Sequence, residues 1–320
     1  MFWAFLHSSI RFSTIFLFGS TGETITERSG HLNLGTPGTM CIGALGGVIG
    51  VRIYLNSIAA TGQINGFLAV FIPILFALAF GMLAGLLYSF FTVSLRCNQN
   101  VTGLTLTTFG IGLANFIGSS VRSDRFSEVS TYFRMGFVND PEMNVFETVF
   151  LSYGTLVYLA IFLAIIVSII IRRTRTGLSL RAVGENPATA DAAGINVTTY
   201  RYSATIIGSA ISALGGLFYI MDYIGGNWQY AIDAFGWLAV ALVIFTVWQP
   251  DIGILGAILF GALYVAPNYI NTGTKGYIKE LIKMCPYVMT ILVLIATSIL
   301  GSKKAQPPAS LGVNYFREER

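Results

Sequence analysis

The stretch RRTRTGLSLRAVGENPATADAAGINVTTYRY, residues 172–202, is a polar island between two long apolar segments. The flanking segments, 148–171 and 202–221, contain no charged side chain. Each has the roughly 20 residues that cross the hydrocarbon core of a bilayer. The island therefore predicts a loop at a membrane surface. Four arginines, at positions 172, 173, 175 and 181, place this loop on the cytoplasmic side by the positive-inside rule.

The composition extends this interpretation to a polytopic membrane protein. Hydrophobic residues make up 54% of the 320 residues and charged residues 11%, and the mean hydropathy is +0.69. A soluble protein with so large a core would need charged helix faces between its apolar stripes, and the chain has too few charges for them. We therefore expect an all-α bundle of transmembrane helices. The net charge of +4 suggests no nucleic-acid partner, because the basic residues sit mostly at span ends and in loops.

Nine crossings of a bacterial cytoplasmic membrane are predicted, and an odd number puts the two ends of the chain on opposite sides. With the island inside, the first residue lies outside and the last lies in the cytosol, where the basic residues after position 302 agree with the positive-inside rule. The predicted organisation is a transmembrane domain over 1–302, with a coupling loop at 172–201, and a loose cytosolic tail over 303–320. The predicted crossings are 2–20, 37–51, 67–95, 101–120, 148–171, 202–222, 234–249, 252–268 and 284–301.

The segment 275–283 fits this topology least well, because it places three lysines on the outer side. Lys275, Lys279 and Lys283 recur every four residues with apolar residues between them. This spacing is typical of a short amphipathic helix that lies on a membrane surface.

A very short helix is predicted inside the island. Asn186 is a good N-cap, Pro187 fits the first helical position, the residues 188–193 favour helix, and Gly194 can adopt the left-handed conformation that ends one. Two turns are marginal in water, because nucleation is costly and few hydrogen bonds repay it. The helix must therefore be held, either by a groove in a soluble motor protein or by its own bundle, and its spacing does not decide between them.

A break is predicted near the start of the chain. The segment 23–40, ETITERSGHLNLGTPGTM, places charges, glycines, Asn33 and Pro37 where two crossings meet. A glycine-rich break at membrane depth must be buried in protein or line a wet cavity, and broken helices often border a transport pathway. An ordinary turn between two crossings is the alternative.

Two motifs resemble those of one transporter family. Glu27, Arg28, the run SGHLNLG at 29–35 and Gly38 resemble the ERSGxxNxGxxG signature of the nucleoside and simple-sugar branch of ABC-importer permeases. The run 184–195 resembles the GENPxxAxxAGI coupling loop of the same branched-chain amino acid, ribose and nucleoside permease family. The resemblance covers nearly the whole chain. It implies a second related permease in a heterodimer, an ABC ATPase with duplicated nucleotide-binding domains, and an extracytoplasmic substrate-binding lipoprotein or periplasmic protein.

The resemblance also implies a coupling site, in which the short helix inserts into a cleft on the ATPase and small side chains allow close approach. ATP and Mg would then belong to that partner, and this chain would hold no cofactor. The residues expected to couple to the ATPase are Gly184, Glu185, Asn186, Pro187, Ala190, Asp191, Ala193 and Gly194.

The translocation path is sought among uncharged polar side chains within crossings, because they can bind a neutral solute without an intramembrane ion. At 3.6 residues per turn Thr105, Thr108 and Asn115 share one face, and Trp237 could stack on a flat base or sugar ring. Alternatively, the threonines bond to their own helix and the tryptophan belongs to the interfacial belt. The candidates are Asn33, Asn98, Asn100, Thr102, Thr105, Thr108, Asn115 and Trp237.

Enzyme chemistry is not expected. The chain has no phosphate-binding loop of the G-x-x-x-x-G-K-[ST] type and only two histidines, and its three cysteines are widely separated, so neither a metal site nor a catalytic triad is predicted. A secondary transporter should hold ionisable residues in mid-span, and beyond Arg11 none is expected there. The favoured function is therefore a permease subunit of an ATP-driven importer for nucleosides, with simple sugars or riboflavin as alternative solutes and a secondary transporter as the alternative class.

Overall fold

A computed structural model describes residues 2–58, 62–118, 120–121, 125–136, 144–228, 232–269, 276–300 and 306–316. The regular structure of these residues is entirely helical, as the sequence predicts. Two helices end in a wider π turn, α3 at Phe90–Ser94 and α10 at Tyr219–Tyr223. The helices are α1 Phe2–Arg28, α2 Thr36–Ser57, α3 Gly66–Ser89, α4 Gln99–Gly118, α5 Phe126–Arg134, α6 Val145–Phe150, α7 Thr155–Arg173, α8 Arg175–Glu185, α9 Pro187–Ala192, α10 Val197–Phe218, α11 Ile232–Phe245, α12 Pro250–Tyr269 and α13 Gly276–Leu300.

Contacts between distant residues define two ends of the bundle. At the first, here called the Asp222 end, Arg11 of α1 pairs with Asp222 after α10. At the second, here called the Gly184 end, the guanidinium of Arg28 donates to the carbonyl of Trp248, and the backbone of Gly184 lies against the Arg28 carbonyl. Helix α1 thus runs from the Asp222 end to the Gly184 end, and α10 runs the opposite way.

Within the described residues, six helices are long and apolar enough to cross a membrane, and each overlaps a predicted crossing. Shorter apolar stretches occur at Ile232–Phe245 and Met284–Ala296, where two more crossings are predicted. Helix α1 overlaps the predicted first crossing, but it carries His7, Arg11 and a polar second half. The multi-pass prediction is confirmed, whereas the count of nine stays a prediction. The six helices are Thr36–Ser57, Gly66–Ser94, Gln99–Gly118, Thr155–Arg173, Val197–Tyr223 and Pro250–Tyr269.

Helix α1 lies at the centre of the bundle and continues well beyond residue 20, the predicted end of the first crossing. Its residues 12–27 are all buried, although many of them are polar. Several hydroxyls bond to carbonyls of their own helix, as Thr24 does to Ser20. Gly22 of α1 lies against the backbone of Gly208 in α10, and a side chain at either position would collide with the other helix. The close approach of α1 to α10 therefore buries one side of this polar half, and α11 and α12 pack on its other sides.

Small residues form close contacts between helices inside the chain. Gly43 and Gly81 both lie against Ala213 of α10, and Gly216 lies against the carbonyl of Met40. Helices α2, α3 and α10 thus approach closely wherever side chains are smallest, as membrane helices do when packing rather than hydrophobicity draws them together.

The predicted break lies within the expected segment, but it is not a kink in one crossing. Residues 29–35 form a non-helical linker between two whole helices, α1 and α2. Ser29, His31 and Asn33 in this linker are almost fully buried, so the linker is no exposed turn. Irregular backbone that is buried this completely needs hydrogen bonds from the protein around it.

The prediction of a separate surface helix at 275–283 is wrong for the residues that the structure describes. Residues 276–300 form one continuous helix, α13, and Lys275 lies outside the described residues. The lysine spacing suits any helix, so it could not show that the helix continues through the apolar residues that follow.

Candidate coupling site and translocation path

The polar island folds into two helices at the Gly184 end, α8 and the predicted short helix α9. The Asn186 side chain accepts a hydrogen bond from the Thr189 amide at 3.0 Å, and Pro187 occupies the first turn. Gly194 has a φ of +84°, the left-handed conformation expected at a helix end. The predicted helix and both of its end signals are therefore present.

One side of α9 faces its own chain. Ala190 is 4% exposed and packs with Val183 and Val197, so it does not offer itself to a partner in this conformation. Asp191 is partly buried and accepts a hydrogen bond from the Tyr315 hydroxyl at 2.8 Å. The outward side is formed by Glu185, Asn186, Thr189, Ala192, Ala193 and Gly194.

The island is held by other parts of the same chain. Gly184 lies so close to Arg28 that an added methyl group would be 2.3 Å from the Arg28 carbonyl oxygen. Ser310 donates to the Gly184 carbonyl from both its amide, at 3.0 Å, and its hydroxyl, at 2.6 Å. Contacts within the chain therefore contribute to holding the two-turn helix, a question that the sequence leaves open.

These contacts also show that the tail is not loose where the structure describes it. Residues 306–316 pack along the Gly184 end, and Ser310 is 8% exposed. Beside them an open cavity of about 580 Å³ lies between α9 and the end of α3, with Arg96, Asp191, Arg201 and Tyr315 in its wall. The outward side of α9 and this cavity form one polar surface.

Among the path candidates, Asn33 occupies the buried linker. Its side-chain oxygen accepts a hydrogen bond from the backbone amide of Gly35 at 2.9 Å, and its backbone amide donates to the Glu23 carboxylate at 3.1 Å. The Thr36 hydroxyl donates to the other oxygen of the same carboxylate at 2.5 Å. Asn33 therefore shapes the linker and presents no free surface to a solute in this conformation.

The candidates on α4 lie on its outward face. Thr105 and Thr108 are exposed, and Thr102 is partly exposed. Their hydroxyls donate to carbonyls one turn earlier in the same helix, which agrees with the alternative interpretation of these threonines. Asn98 caps the start of α4 by accepting from the Val101 amide at 3.1 Å. Asn100 is exposed beside it.

On this outward face Thr105 and Thr108 form a short polar track, flanked by the exposed apolar side chains of Leu104, Phe109 and Phe116. Gly112 has no atom within 4 Å of an added side chain, so the face stays open one turn beyond Thr108. A cleft of about 310 Å³ between α3 and α4 includes Thr102 and Thr105 together with Tyr88 and aromatic rings. Towards the Asp222 end, Asn115 accepts from the Trp228 indole at 3.1 Å. Trp237 is partly buried on α11 and does not join the track.

The buried charges were not foreseen from the sequence. Glu23 and Glu27 are each 1% exposed, and the Trp248 indole donates to Glu27. Asp222 is fully buried and pairs with Arg11 at 2.9 Å. Ionisable residues besides Arg11 are therefore buried inside the bundle: Glu23 and Glu27 because α1 continues beyond residue 20, and Asp222 at the end of α10.

The sequence from residue 5 to residue 294 matches the family described as branched-chain amino acid transport system, permease component. The chain belongs to this family. The permease is 33% identical to the nucleoside ABC transporter permease protein NupC of Lactococcus lactis over 96% of its length and 95% of that protein. It is 32% identical to the guanosine ABC transporter permease protein NupQ of Bacillus subtilis, covering 93% of its own length and 92% of the relative. The putative glucose ABC transporter permease protein TsgC13 of Haloferax volcanii is also 32% identical, with 98% and 97% covered.

Buried carboxylates could also serve ion coupling in a secondary transporter. Family membership decides between the two classes of transporter in favour of the ABC permeases. The relatives are permease subunits of ABC transporters, which are not enzymes themselves, and this agrees with the prediction that the chain catalyses no reaction. The resemblance stated from the two motifs is likewise confirmed, and it extends over nearly the whole chain.

Proposed function

We propose that this permease imports nucleosides as one subunit of an ATP-driven importer. The observation that supports the substrate is the match to NupC and NupQ, whose names specify nucleosides and guanosine, over more than nine tenths of the chain. TsgC13, nearly as similar, keeps a simple sugar as the second candidate. The fold does not distinguish nucleosides from sugars, since the described polar side chains on the proposed path bond to their own helix or to neighbouring residues.

Uptake of labelled solutes tests the substrate directly. Cells that produce the complete importer should accumulate guanosine and other nucleosides, and the accumulation should stop without ATP but survive dissipation of the proton gradient. Accumulation of glucose or riboflavin without nucleosides would replace the proposed substrate, and dependence on the proton gradient would contradict ATP-driven import.

The outward side of α9 is the proposed contact with the ATPase. It is exposed, it carries the polar side chains of Glu185, Asn186 and Thr189, and it lies within the matching coupling motif, whose open Gly194 follows α9. Because Ala190 points inward, bulk at that position would disturb the permease itself. Ala193, which is exposed, is the better position for a test.

We expect Ala193→Trp to abolish uptake while the permease still inserts and folds. The matched control is Leu178→Trp, on exposed Leu178 of the preceding helix at the same end of the bundle. Co-purification of the ATPase should be lost in the first variant and kept in the second. Normal uptake and normal co-purification in Ala193→Trp would remove the coupling role of α9.

The polar face of α4 is the proposed site of the translocation path, closed by a second permease. The outward face of α3 is apolar, as that of a lipid-facing helix should be, whereas the neighbouring α4 presents Thr105, Thr108 and the uncovered Gly112 among exposed apolar side chains such as Phe109. A related permease packed beside α4 would shield Thr105, Thr108 and Gly112 from lipid. Their polar track would then line a path between the two subunits.

Cysteine cross-linking tests this arrangement. Gly112→Cys should form a cross-link to the second permease, whereas Leu83→Cys, on the exposed lipid-facing side of α3, should not. Cross-linking of Leu83→Cys alone would move the interface to α3. The same cysteine approach tests topology: Asn186→Cys should react only from the cytosol and Phe2→Cys only from outside, as nine crossings require.

A further inference from the structure

The segment 308–316, here called the strap, binds the coupling region on one side. Ser310 donates twice to the Gly184 carbonyl, and the Ala309 amide lies 3.4 Å from a Glu185 carboxylate oxygen. Further along, the Tyr315 hydroxyl donates to Asp191 of α9 at 2.8 Å. The Tyr315 ring packs against the small cluster that buries Ala190. The strap is therefore attached to α9 by both polar and apolar contacts.

On its other side the strap binds the linker and the start of α4. The Gly312 amide donates to the Gly30 carbonyl at 3.2 Å. Asn314 accepts from the Gln99 side chain at 3.1 Å and donates to the carbonyls of Arg96 and Cys97. Gln99 in turn accepts from the amide of linker residue Leu32 at 2.8 Å. One short segment thus bridges α9, the buried linker and α4.

The strap also fixes a buried cation. Arg201 of α10 is 3% exposed and donates to the Val313 carbonyl at 3.1 Å, and the Arg96 guanidinium stacks over the Phe316 ring at 4.9 Å. Gly312 has a φ of +78°, which allows the chain to turn between its contact with the linker and its contact with α4. Six residues, from Ser310 to Tyr315, therefore connect α8, α9, the linker, α4 and α10.

We propose that the strap carries movement of α9 to the linker and to the polar helix α4, with Asn314 and Tyr315 as its positioning residues. This rests on the proposed function, because it requires α9 to be the element that the ATPase moves. A hydrogen bond holds only over a few tenths of an ångström, so a shift of α9 must either drag the strap or break its contacts. Besides the strap, Gly184 near the end of α8 touches the linker directly, against the Gly30 backbone.

The test uses the complete importer with Tyr315→Phe and Asn314→Ala, and Val313→Ala as the matched control. Val313 is 57% exposed and contributes only its carbonyl, which the substitution keeps. Each strap variant should co-purify with the ATPase and hydrolyse ATP at the basal rate, but substrate-stimulated hydrolysis and uptake should fall roughly fivefold, the effect of one lost hydrogen bond on an equilibrium. The control should match the unmodified permease.

A double variant separates a transmitting contact from a merely structural one. If Tyr315 acts through Asp191, then Tyr315→Phe combined with Asp191→Asn should lose no more stimulation than either single variant. Stimulation equal to the control in both strap variants, or loss of the ATPase from the purified complex, would overturn the proposal. Measured beside them, Ala193→Trp distinguishes the two failures: normal uptake there refutes the coupling role of α9, whereas defective uptake there with normal strap variants refutes the strap alone.

Discussion

Two glycines in α4, two residues apart, should respond oppositely to the same substitution. An added methyl group at Gly110 would lie 2.5 Å from the carbonyl oxygen of Gly38 and 2.8 Å from two carbons of the same residue. At Gly112 nothing lies within 4 Å. Ordinary contact begins near 3.4 Å, so Gly110→Ala must push α2 and α4 apart by roughly 0.9 Å, and the obstacle is backbone that cannot rotate away.

The expected energies follow from two opposing effects. Alanine gains about 1 kcal/mol over glycine inside a helix, and Gly112→Ala should show this gain. Overpacking costs typically about 1–3 kcal/mol, so Gly110→Ala should be neutral or destabilised, and the two variants should differ by ~1–3 kcal/mol. Thermal unfolding of the purified permease in detergent measures the difference, expected as several degrees in Tm. Equal or higher stability of Gly110→Ala would refute the close approach of α2 and α4.

Four further substitutions test the charged and titratable groups of the bundle. Asp222→Asn leaves Arg11 without its buried partner and should cost roughly 3–5 kcal/mol in unfolding free energy. Asp251→Asn, at the half-exposed pair with Arg172, should cost less than about 1 kcal/mol. Equal losses of stability in thermal unfolding would contradict the burial of Asp222. Trp248→Phe removes the donor to buried Glu27 and should cost about 1–3 kcal/mol in the same assay. Burial and nearby Arg201 lower the pKa of His31 to about 3, so the folded protein keeps it neutral while the unfolded chain takes up a proton below its ordinary pKa of 6.5. Stability should therefore fall as the pH drops from 7, by about 2 kcal/mol at pH 5, and His31→Gln should show a smaller fall than the unmodified permease.

The short helix could be predicted because its determinants are local. Asn186, Pro187 and Gly194 act on backbone within one turn, so their roles can be read from the order of residues alone. The apolar crossings are predictable for a similar reason, since the length of a hydrophobic run is set by the bilayer rather than by its neighbours.

The buried polar half of α1 could not be predicted in this way. Glu23 and Glu27 look like residues of a surface loop, and only contact with distant elements makes their burial tolerable. Glu23 is satisfied by the linker and Glu27 by Trp248, which lies 221 residues away in the chain. The end of the first crossing was therefore placed too early, because the pattern shows polarity but not what surrounds it.

The strap was missed for the same physical reason. Its sequence, PASLGVNYF, has a proline, a glycine and no helical or strand periodicity, so nothing local makes it fold. Its order comes from hydrogen bonds to carbonyls of other segments, such as those of Gly30 and Gly184. Carbonyls are common to every residue, so such bonds leave no signature in the sequence.

The distribution of contacts indicates which helix is free to move. Helices α1, α2, α3 and α10 are interlocked through glycines whose neighbours are backbone atoms, so displacing one of them requires displacing the rest. Helix α4 is held along one face by α2 and the linker and at its far end by Trp228, and its outward face is open at Gly112. The strap reaches α4 at its first residue, Gln99, which is the position where a small pull would tilt the helix most. A movement that starts at α9 would therefore change the polar face of α4 before it disturbed the core.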